Sequence, residues 1–163
     1  MIHNYQSPWF KEALELEGEL EINTLNSREI ADICIVGGGY TGLWTALKIK
    51  EKNPKTNIII IEKDLCGSGA SGRNGGCMIP LSSKFPAMKK IVGTKDAVRM
   101  VKASEEAINK ISNYCKLNSF DPQIRINGIV YAATNNKHRG GFDNLINELK
   151  DNNINSWQRL PKE

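Results

Sequence analysis

The sequence lacks the features that mark membrane-spanning, exported or metal-binding proteins. Its longest apolar run, in residues 57–62 (NIIIIE), has the length of one strand and is too short to cross a bilayer. Residues 1–21 have no basic start followed by an apolar core, so we do not expect a secretory signal. Two histidines and four widely spaced cysteines, with no Cys-x-x-Cys pair, predict no metal site, reduced thiols and a cytoplasmic location.

The charge is low and evenly spread. Lys and Arg number 22 and Asp and Glu number 18, which gives a net charge of +4. No block of basic residues is dense enough to predict binding to nucleic acid or to an anionic membrane. The 163 residues, 40% hydrophobic and 25% charged, are typical of one globular domain or slightly more. The composition leaves the oligomeric state open.

The first part of the chain has the pattern of a βαβ unit. A short amphipathic helix is predicted over residues 7–21, with Ser7 as its cap and Pro8 at its first position. It is followed by a strand, a helix and a second strand, over residues 31–36, 40–52 and 57–62. This order predicts two parallel strands joined by a right-handed helical crossover.

The rest of the chain is predicted to be mostly helical. A short helix over residues 82–93 leads to a long helix capped by Thr94. An apolar stripe on the long helix is expected to face a core, and it consists of Ala97, Val101, Ser104, Ile108, Ile111 and Cys115. The Asn127-Gly128 pair, between strand-like segments, predicts a β-hairpin. A polar helix over residues 136–152 and the start of a further strand (INSWQRLPKE) follow.

Residues 37–42 (GGGYTG) fit the motif Gly-x-Gly-x-x-Gly through Gly37, Gly39 and Gly42. The first glycine allows the tight turn out of the strand, the second lets a pyrophosphate approach the backbone, and the third lets the helix pack close to the sheet. The helix that starts near Tyr40 offers free N–H groups and the positive end of its dipole to phosphates. On its own the motif also fits a plain tight turn between strand and helix.

Glu62 ends the second strand, 25 residues after Gly37. A carboxylate at this place accepts hydrogen bonds from both hydroxyls of an adenosine ribose, and it repels a 2′-phosphate. A solvated strand end is the plainer interpretation of Glu62 alone. Strand, glycine motif, helix and acidic residue together predict a dinucleotide site that disfavours NADP.

Residues 67–76 (GSGASGRNGG) contain five glycines in ten positions, too many for a stable helix or strand. Composition alone fits a flexible surface loop or linker. Directly after the second strand, the stretch also fits a nest of backbone N–H groups that wraps an anion. A second phosphate-contacting loop suits the long FAD molecule better than NAD.

Three stretches resemble the N-terminal part of the FAD-dependent oxidoreductases of the D-amino-acid oxidase, glycine oxidase and sarcosine oxidase superfamily. They are residues 31–50 (ADICIVGGGYTGLWTALKIK), 58–76 (IIIIEKDLCGSGASGRNGG) and 126–134 (INGIVYAAT). The sequence is most similar to the branch of gamma-glutamylputrescine oxidases and aminophosphonate oxidoreductases, where ASGRNGG is a hallmark. The resemblance implies an α/β fold with a three-layer, Rossmann-like FAD-binding domain and the start of a mixed-sheet substrate domain. The expected divisions are an N-terminal helical lead-in, the FAD-binding portion and the substrate domain, over residues 1–29, 30–120 and 121–163.

The resemblance also implies that FAD is the cofactor. The implied cofactor-binding residues are Gly37, Gly39, Tyr40, Thr41, Gly42, Glu62, Lys63, Ala70, Ser71, Gly72, Arg73, Asn74, Gly75 and Gly76. Ser71 and Gly72 are expected beside the phosphates, whereas Arg73 has no firm role and a salt bridge that braces the loop is an equal alternative. Cys77 is expected to be a small buried residue and not a covalent attachment point for the flavin.

The implied reaction is oxidation of the carbon–nitrogen bond of an amine or amino-acid substrate to an imine, and the sequence nominates no catalytic residue. Two alternatives stay open. One is an NAD-dependent dehydrogenase, which only the first glycine motif supports, and the other is a non-catalytic dinucleotide-binding module. Because members of the superfamily are much longer, we expect this chain to be an N-terminal fragment that binds FAD weakly and lacks turnover.

Overall fold

A computed structural model describes residues 7–18, 23–119 and 121–161 of the chain. These residues fall into two compact units, one within Met1–Cys77 and the other within Met78–Glu163. No helix in the three described ranges is both long enough and apolar enough to cross a membrane. The domain boundaries predicted from the sequence stay predictions.

The first unit contains the predicted βαβ unit. Its elements are α1 (Pro8–Glu17), β1 (Ile33–Val36), α2 (Tyr40–Lys52), β2 (Ile58–Ile61) and a 3-10 turn (Ala70–Gly72). The Ser7 hydroxyl caps α1 by accepting from the N–H of Phe10, and Pro8 occupies the first helical position, as predicted. The helix is shorter than predicted because Gly18 takes a φ of 74°, which ends it; residues 19–21 lie outside the described residues.

The strands β1 and β2 are parallel, with Ile33 opposite Ile58 and Val36 opposite Ile61. The helix α2 connects them and packs on one face of the pair, where Ile35 is half-buried. On the other face Val36 is 84% exposed. Parallel strands are ordinarily covered on both faces. Within the described residues this pair is therefore covered on one face only.

The second unit is built from helices. A 3-10 turn (Leu81–Lys84) leads into α3 (Phe85–Leu117), and a further 3-10 turn (Asn136–His138) precedes α4 (Asp143–Asp151). Gly93 interrupts α3 with a φ of 79° and a ψ of 166°, so α3 consists of two helical parts. They meet just before Thr94, which confirms the predicted division into a short and a long helix.

A small apolar core joins α3, α4 and the segment after α4. Its buried members are Phe85, Ala97, Val101, Leu145, Leu149 and Ile154. Three members of the stripe predicted on α3 (Ala97, Val101 and Cys115) are buried, and the other three are half-buried. Trp157 packs against this core, and its indole N–H donates to the buried Ser82 hydroxyl at 2.9 Å. The stripe therefore faces a core, as predicted.

The predicted hairpin and the further strand are absent. No strand occurs in residues 121–161, although Gly128 takes a φ of 80° that suits a turn. Residues 124–134 form no backbone–backbone hydrogen bond with another described residue, and Val130 is 72% exposed. A turn is determined by a few neighbouring residues, whereas a strand also needs a second strand that pairs with its N–H and C=O groups. Residues 121–161 contain no such strand.

The polar helix predicted over residues 136–152 is also shorter than expected. Residues 136–138 form only a 3-10 turn, and the α-helix begins at Asp143. Gly140 separates the two with a φ of 73°, a conformation that a right-handed helix does not contain.

The core of the second unit should depend strongly on Leu149, which is fully buried. Leu149→Ala is expected to lower the free energy of unfolding by about 2–5 kcal/mol, because it removes buried methyl groups and leaves a cavity. The matched control is Leu117→Ala at the end of α3, where the side chain is 84% exposed; it should cost less than about 1 kcal/mol. Urea unfolding followed by helical circular dichroism measures both. Equal losses would contradict the assigned core.

Candidate functional site

The first glycine loop (residues 37–42) leads from β1 into α2 at the carboxyl ends of the strands. The N–H of Gly37 donates to the carbonyl of Ile61 at 2.8 Å, which continues the pairing of β1 with β2 by one residue. Gly37 then takes a φ of 107°, which glycine adopts at little cost. The turn directs the chain into α2, whose N-terminus lies at the end of the sheet where ligands of such folds bind.

Close packing explains the other glycines of this loop. A Cβ on Gly42 would lie 2.1 Å from the carbonyl oxygen of Gly37 and 3.2 Å from a methyl carbon of Ile35. One on Gly39 would lie 2.9 Å from the Ser71 hydroxyl. Gly37 and Gly42 thus meet the demands predicted for them, a positive φ and close helix packing, whereas the approach of a pyrophosphate at Gly39 stays a prediction.

Gly38 and Cys66 form a further contact that the motif does not indicate. A Cβ on Gly38 would lie 2.4 Å from the Cys66 sulfur, and Gly38 is buried. Gly38 occupies an unspecified position of Gly-x-Gly-x-x-Gly, and Cys66 follows β2, so only a three-dimensional structure brings them together. A glycine at all three of positions 37–39 is the one signal in the sequence that hints at this crowding.

Glu62 lies at the end of β2 and reaches the first glycine loop. Its Oε2 accepts from the N–H of Gly38 at 2.7 Å, and its Oε1 accepts from the N–H of Asp64 at 3.2 Å. The N–H of Gly38, followed by those of Asp64 and Lys63 and by the charge of the exposed Lys63, lowers the pKa of this carboxyl, against an opposing effect of burial. Glu62 is therefore held as a carboxylate, with lone pairs left for further donors.

The second glycine loop (residues 67–76) is folded against the first. The N–H of Gly67 donates to the carbonyl of Gly38 at 3.0 Å. The hydroxyl of Ser71 accepts from the N–H of Tyr40 at 2.9 Å, at the very start of α2. Within the loop, the Asn74 side-chain amide donates to the Ser71 carbonyl at 2.6 Å, and its oxygen accepts from Gly76 N–H at 2.8 Å. The stretch is thus an ordered loop and not a linker.

The remaining predicted residues lie in the first turn of α2 and in the second glycine loop. Thr41 lies in the first turn of α2, and Ala70 and Gly72 belong to the 3-10 turn around Ser71. Gly75 would meet no atom within 4 Å of an added Cβ. Arg73 is exposed, and the described part of the chain contains no ion-pair partner for it, so the bracing salt bridge considered for it stays a prediction.

The prediction that Cys77 is buried is wrong. Its thiol is exposed, as are those of Cys34 and Cys66. Cys77 follows Gly75 and Gly76, and Gly76 takes a φ of 72°, so the chain leaves the folded part of the loop before it reaches the cysteine. The loop therefore supplies no apolar surface to cover the thiol.

The chemistry of these groups fits a dinucleotide. The first turn of α2 presents N–H donors and a positive dipole end, which suit a pyrophosphate, and Gly39 places no side chain beside them. Glu62 presents acceptors on the other side of the first glycine loop, which suit ribose hydroxyls. The candidate site is thus a βαβ unit with a second loop folded over the start of its helix.

Comparison with known proteins agrees with this geometry. The family model described as FAD dependent oxidoreductase (DAO) matches residues 32–163. The chain belongs to this family. The family depends on FAD, which decides between FAD and NAD as the cofactor in favour of FAD. No solved structure gave a significant match to the chain.

Two curated relatives cover most of the chain. Gamma-glutamylputrescine oxidoreductase of Escherichia coli (strain K12) is 32% identical over 138 residues, which are 84% of this chain and 30% of that protein. The probable oxidoreductase OrdL of Haemophilus influenzae is 30% identical over 138 residues, 84% of this chain and 31% of that protein. The chain of this family member thus spans less than a third of the length of either relative.

The close approach at Gly42 should make it the least replaceable glycine of the site. Helix propensity favours Gly42→Ala by about 1 kcal/mol. The added methyl would, however, meet the backbone oxygen of Gly37, and overpacking of this kind costs about 1–3 kcal/mol or more, so we expect net destabilisation. Gly75→Ala, in open space, is the control and should change stability by less than about 1 kcal/mol. Thermal unfolding of both variants measures the change in stability. A Gly42→Ala chain more stable than the native chain would contradict the close approach of Gly42 to Gly37.

The Glu62 carboxyl should titrate below 4.5, its ordinary value, because backbone N–H groups bind the charged form. A lowered pKa stabilises the folded chain at pH values above 4.5, and this contribution is lost as the pH falls through the lower folded-state value. Glu62→Gln should therefore flatten the acid limb of the stability curve. An NMR titration of the Glu62 carboxyl carbon measures the pKa directly, and a value above 4.5 would contradict the assignment.

Proposed function

We propose that the two glycine loops and Glu62 bind FAD, and that they serve an oxidoreductase that converts the carbon–nitrogen bond of an amine or amino acid to an imine. One observation carries this proposal: Ser71 of the second glycine loop meets Tyr40 N–H at the start of α2, at 2.9 Å. The membership of the chain in the FAD-dependent family and the name of its relative, gamma-glutamylputrescine oxidoreductase, support the reaction class.

In this proposal the first glycine loop and the first turn of α2 hold the pyrophosphate. Gly39 has no side chain there, so a phosphate oxygen can approach the backbone, and Thr41 and Gly42 follow in the helix. The Ser71 hydroxyl uses a lone pair to accept from Tyr40, which leaves its own proton free to donate to a phosphate oxygen. Ser71 then bonds to the helix and to the cofactor at once.

The adenosine ribose is assigned to Glu62. Each of its carboxylate oxygens accepts one backbone N–H and keeps capacity for a hydroxyl donor. Its charge would repel a 2′-phosphate. Lys63 lies beside it, and the rest of the second glycine loop is assigned to the path of the pyrophosphate and ribityl chain, through Ala70, Gly72, Arg73, Asn74, Gly75 and Gly76.

When bound, FAD supplies the two-electron acceptor that the oxidation of an amine requires. The chain's own residues bind and orient it, and none of them is assigned to proton transfer. The three-layer sheet and the mixed-sheet substrate domain are part of the same proposal. The uncovered apolar face at Val36, which is 84% exposed, supports a third layer over β1 and β2.

The proposal is tested by titrating the purified chain with FAD and with NAD and recording flavin absorbance and fluorescence. FAD should bind and NAD should not. Gly39→Leu should abolish binding, because even its Cβ would lie 2.9 Å from the Ser71 hydroxyl and the rest of the side chain would block the loop backbone. Gly69→Leu, whose Cβ meets no atom within 4 Å, is the control and should keep most of the affinity.

The outcomes separate the three functional classes. NAD uptake without flavin uptake would contradict the proposal in favour of a dehydrogenase. Flavin uptake by the complete natural protein without oxidation of any amine or amino acid would favour a non-catalytic dinucleotide-binding module. Retained FAD affinity in Gly39→Leu would remove the first glycine loop from the site.

A further inference from the structure

The helix α1 contacts the second glycine loop through its first turn. The Ser7 hydroxyl donates to the carbonyl of Gly72 while it accepts from the N–H of Phe10 at 3.2 Å. The ring of Phe10 lies against the same loop: a Cβ added to Gly72 would be 3.1 Å from its Cδ2, and one added to Gly67 would be 3.6 Å from its Cε2. One turn of α1 thus reaches the loop at Gly67 and at Gly72.

These two glycines bracket the residue on which the site depends. Ser71 precedes Gly72, and its hydroxyl accepts from the N–H of Tyr40 at the start of α2. Gly72 and Gly67 are packed so closely that a Cβ on Gly72 would lie 2.4 Å from the carbonyl oxygen of Gly67. A shift of either glycine would therefore move Ser71 relative to α2.

The second glycine loop needs contacts with residues outside it to keep one conformation. Five glycines in ten residues lose much conformational freedom on folding, and only a few local hydrogen bonds compensate for that loss. An aromatic ring and a hydroxyl on a neighbouring helix supply both apolar contact and a hydrogen bond. α1 contributes little else, because it has no buried residue, and Trp9 and Leu16 are 57% and 80% exposed.

We propose that α1 is a positioning element of the flavin site. Ser7 and Phe10 hold the second glycine loop in the conformation in which Ser71 meets the N-terminus of α2, and neither residue needs to touch the cofactor. The link to FAD rests on the proposed function above, whereas the effect on the loop does not.

The effect on the loop is tested without FAD, by amide hydrogen exchange. In Phe10→Ala, the amide of Tyr40 and those of residues 67–76 should exchange about tenfold faster than in the native chain, since a weakened contact lets the loop open more often. Trp9→Ala is the matched control: the same helix loses an aromatic ring that is 57% exposed, and exchange should not change. Unchanged exchange in Phe10→Ala would overturn the proposal.

The effect on the cofactor is tested by FAD titration of the same chains. Ser7→Ala and Phe10→Ala should each raise the Kd for FAD about five- to tenfold, and Trp9→Ala should leave it unchanged. The conservative variants Ser7→Thr and Phe10→Leu should restore most of the affinity, because they keep the hydroxyl and the apolar contact respectively. A helix that only adds stability would shift the melting temperature and leave the Kd at low temperature unaltered, which would also overturn the proposal.

The two measurements separate this inference from the proposed function. If the native chain binds no FAD, the proposed function fails, and the exchange data still decide whether α1 positions the loop. If the native chain binds FAD and Phe10→Ala matches it in both Kd and exchange, the positioning role fails while the flavin site stands.

Discussion

The close approach of α2 to the end of β1 determines the geometry of the candidate site in the first unit. With no side chain at Gly42, the backbone of α2 approaches the Gly37 carbonyl within a distance that a single methyl group would forbid. That approach places the N–H of Tyr40, the first residue of α2, beside the second glycine loop. A helix pushed outward by one methyl group would move this N–H away from Ser71, so the contact between the two glycine loops depends on one close backbone approach.

The two halves of the candidate site differ in electrostatic character. The start of α2 carries partial positive charge and free N–H groups, which favour phosphates. Glu62 is a carboxylate stabilised by the N–H of Gly38, and it favours hydroxyl donors over phosphates. The N–H of Gly38 bonds to Glu62, and the N–H of Tyr40 lies two residues further along the same loop, at the start of α2. The acidic region and the partly positive helix terminus therefore lie next to each other without an ion pair between them. A ligand with a ribose next to a pyrophosphate has the chemical groups that suit both regions.

Short-range patterns predicted most of this structure, and long-range contacts account for the rest. Apolar runs and the glycine motif place β1, α2 and β2 within about two residues of their bounds, because strand and helix periodicity are local properties. The contact of Cys66 with Gly38 joins residues far apart in the chain, and no sequence motif predicts it. The hairpin predicted at Asn127-Gly128 is wrong because it also depends on long-range contacts. Its turn is a local feature, but its strands require a hydrogen-bonding neighbour that the described residues do not supply.

The second glycine loop shows why a glycine-rich stretch is not by itself a sign of disorder. Its glycines let the backbone pass within contact distance of Phe10 and of its own Gly67 carbonyl. Asn74 links the middle of the loop to its end, through the Ser71 carbonyl and the Gly76 N–H. Ordering such a loop costs conformational entropy whenever it occurs. If α1 and Asn74 order it during folding, that cost does not fall on cofactor binding, and the affinity for a dinucleotide is correspondingly higher. The hydroxyl of Ser71, already at the start of α2, is the visible result of this preorganisation.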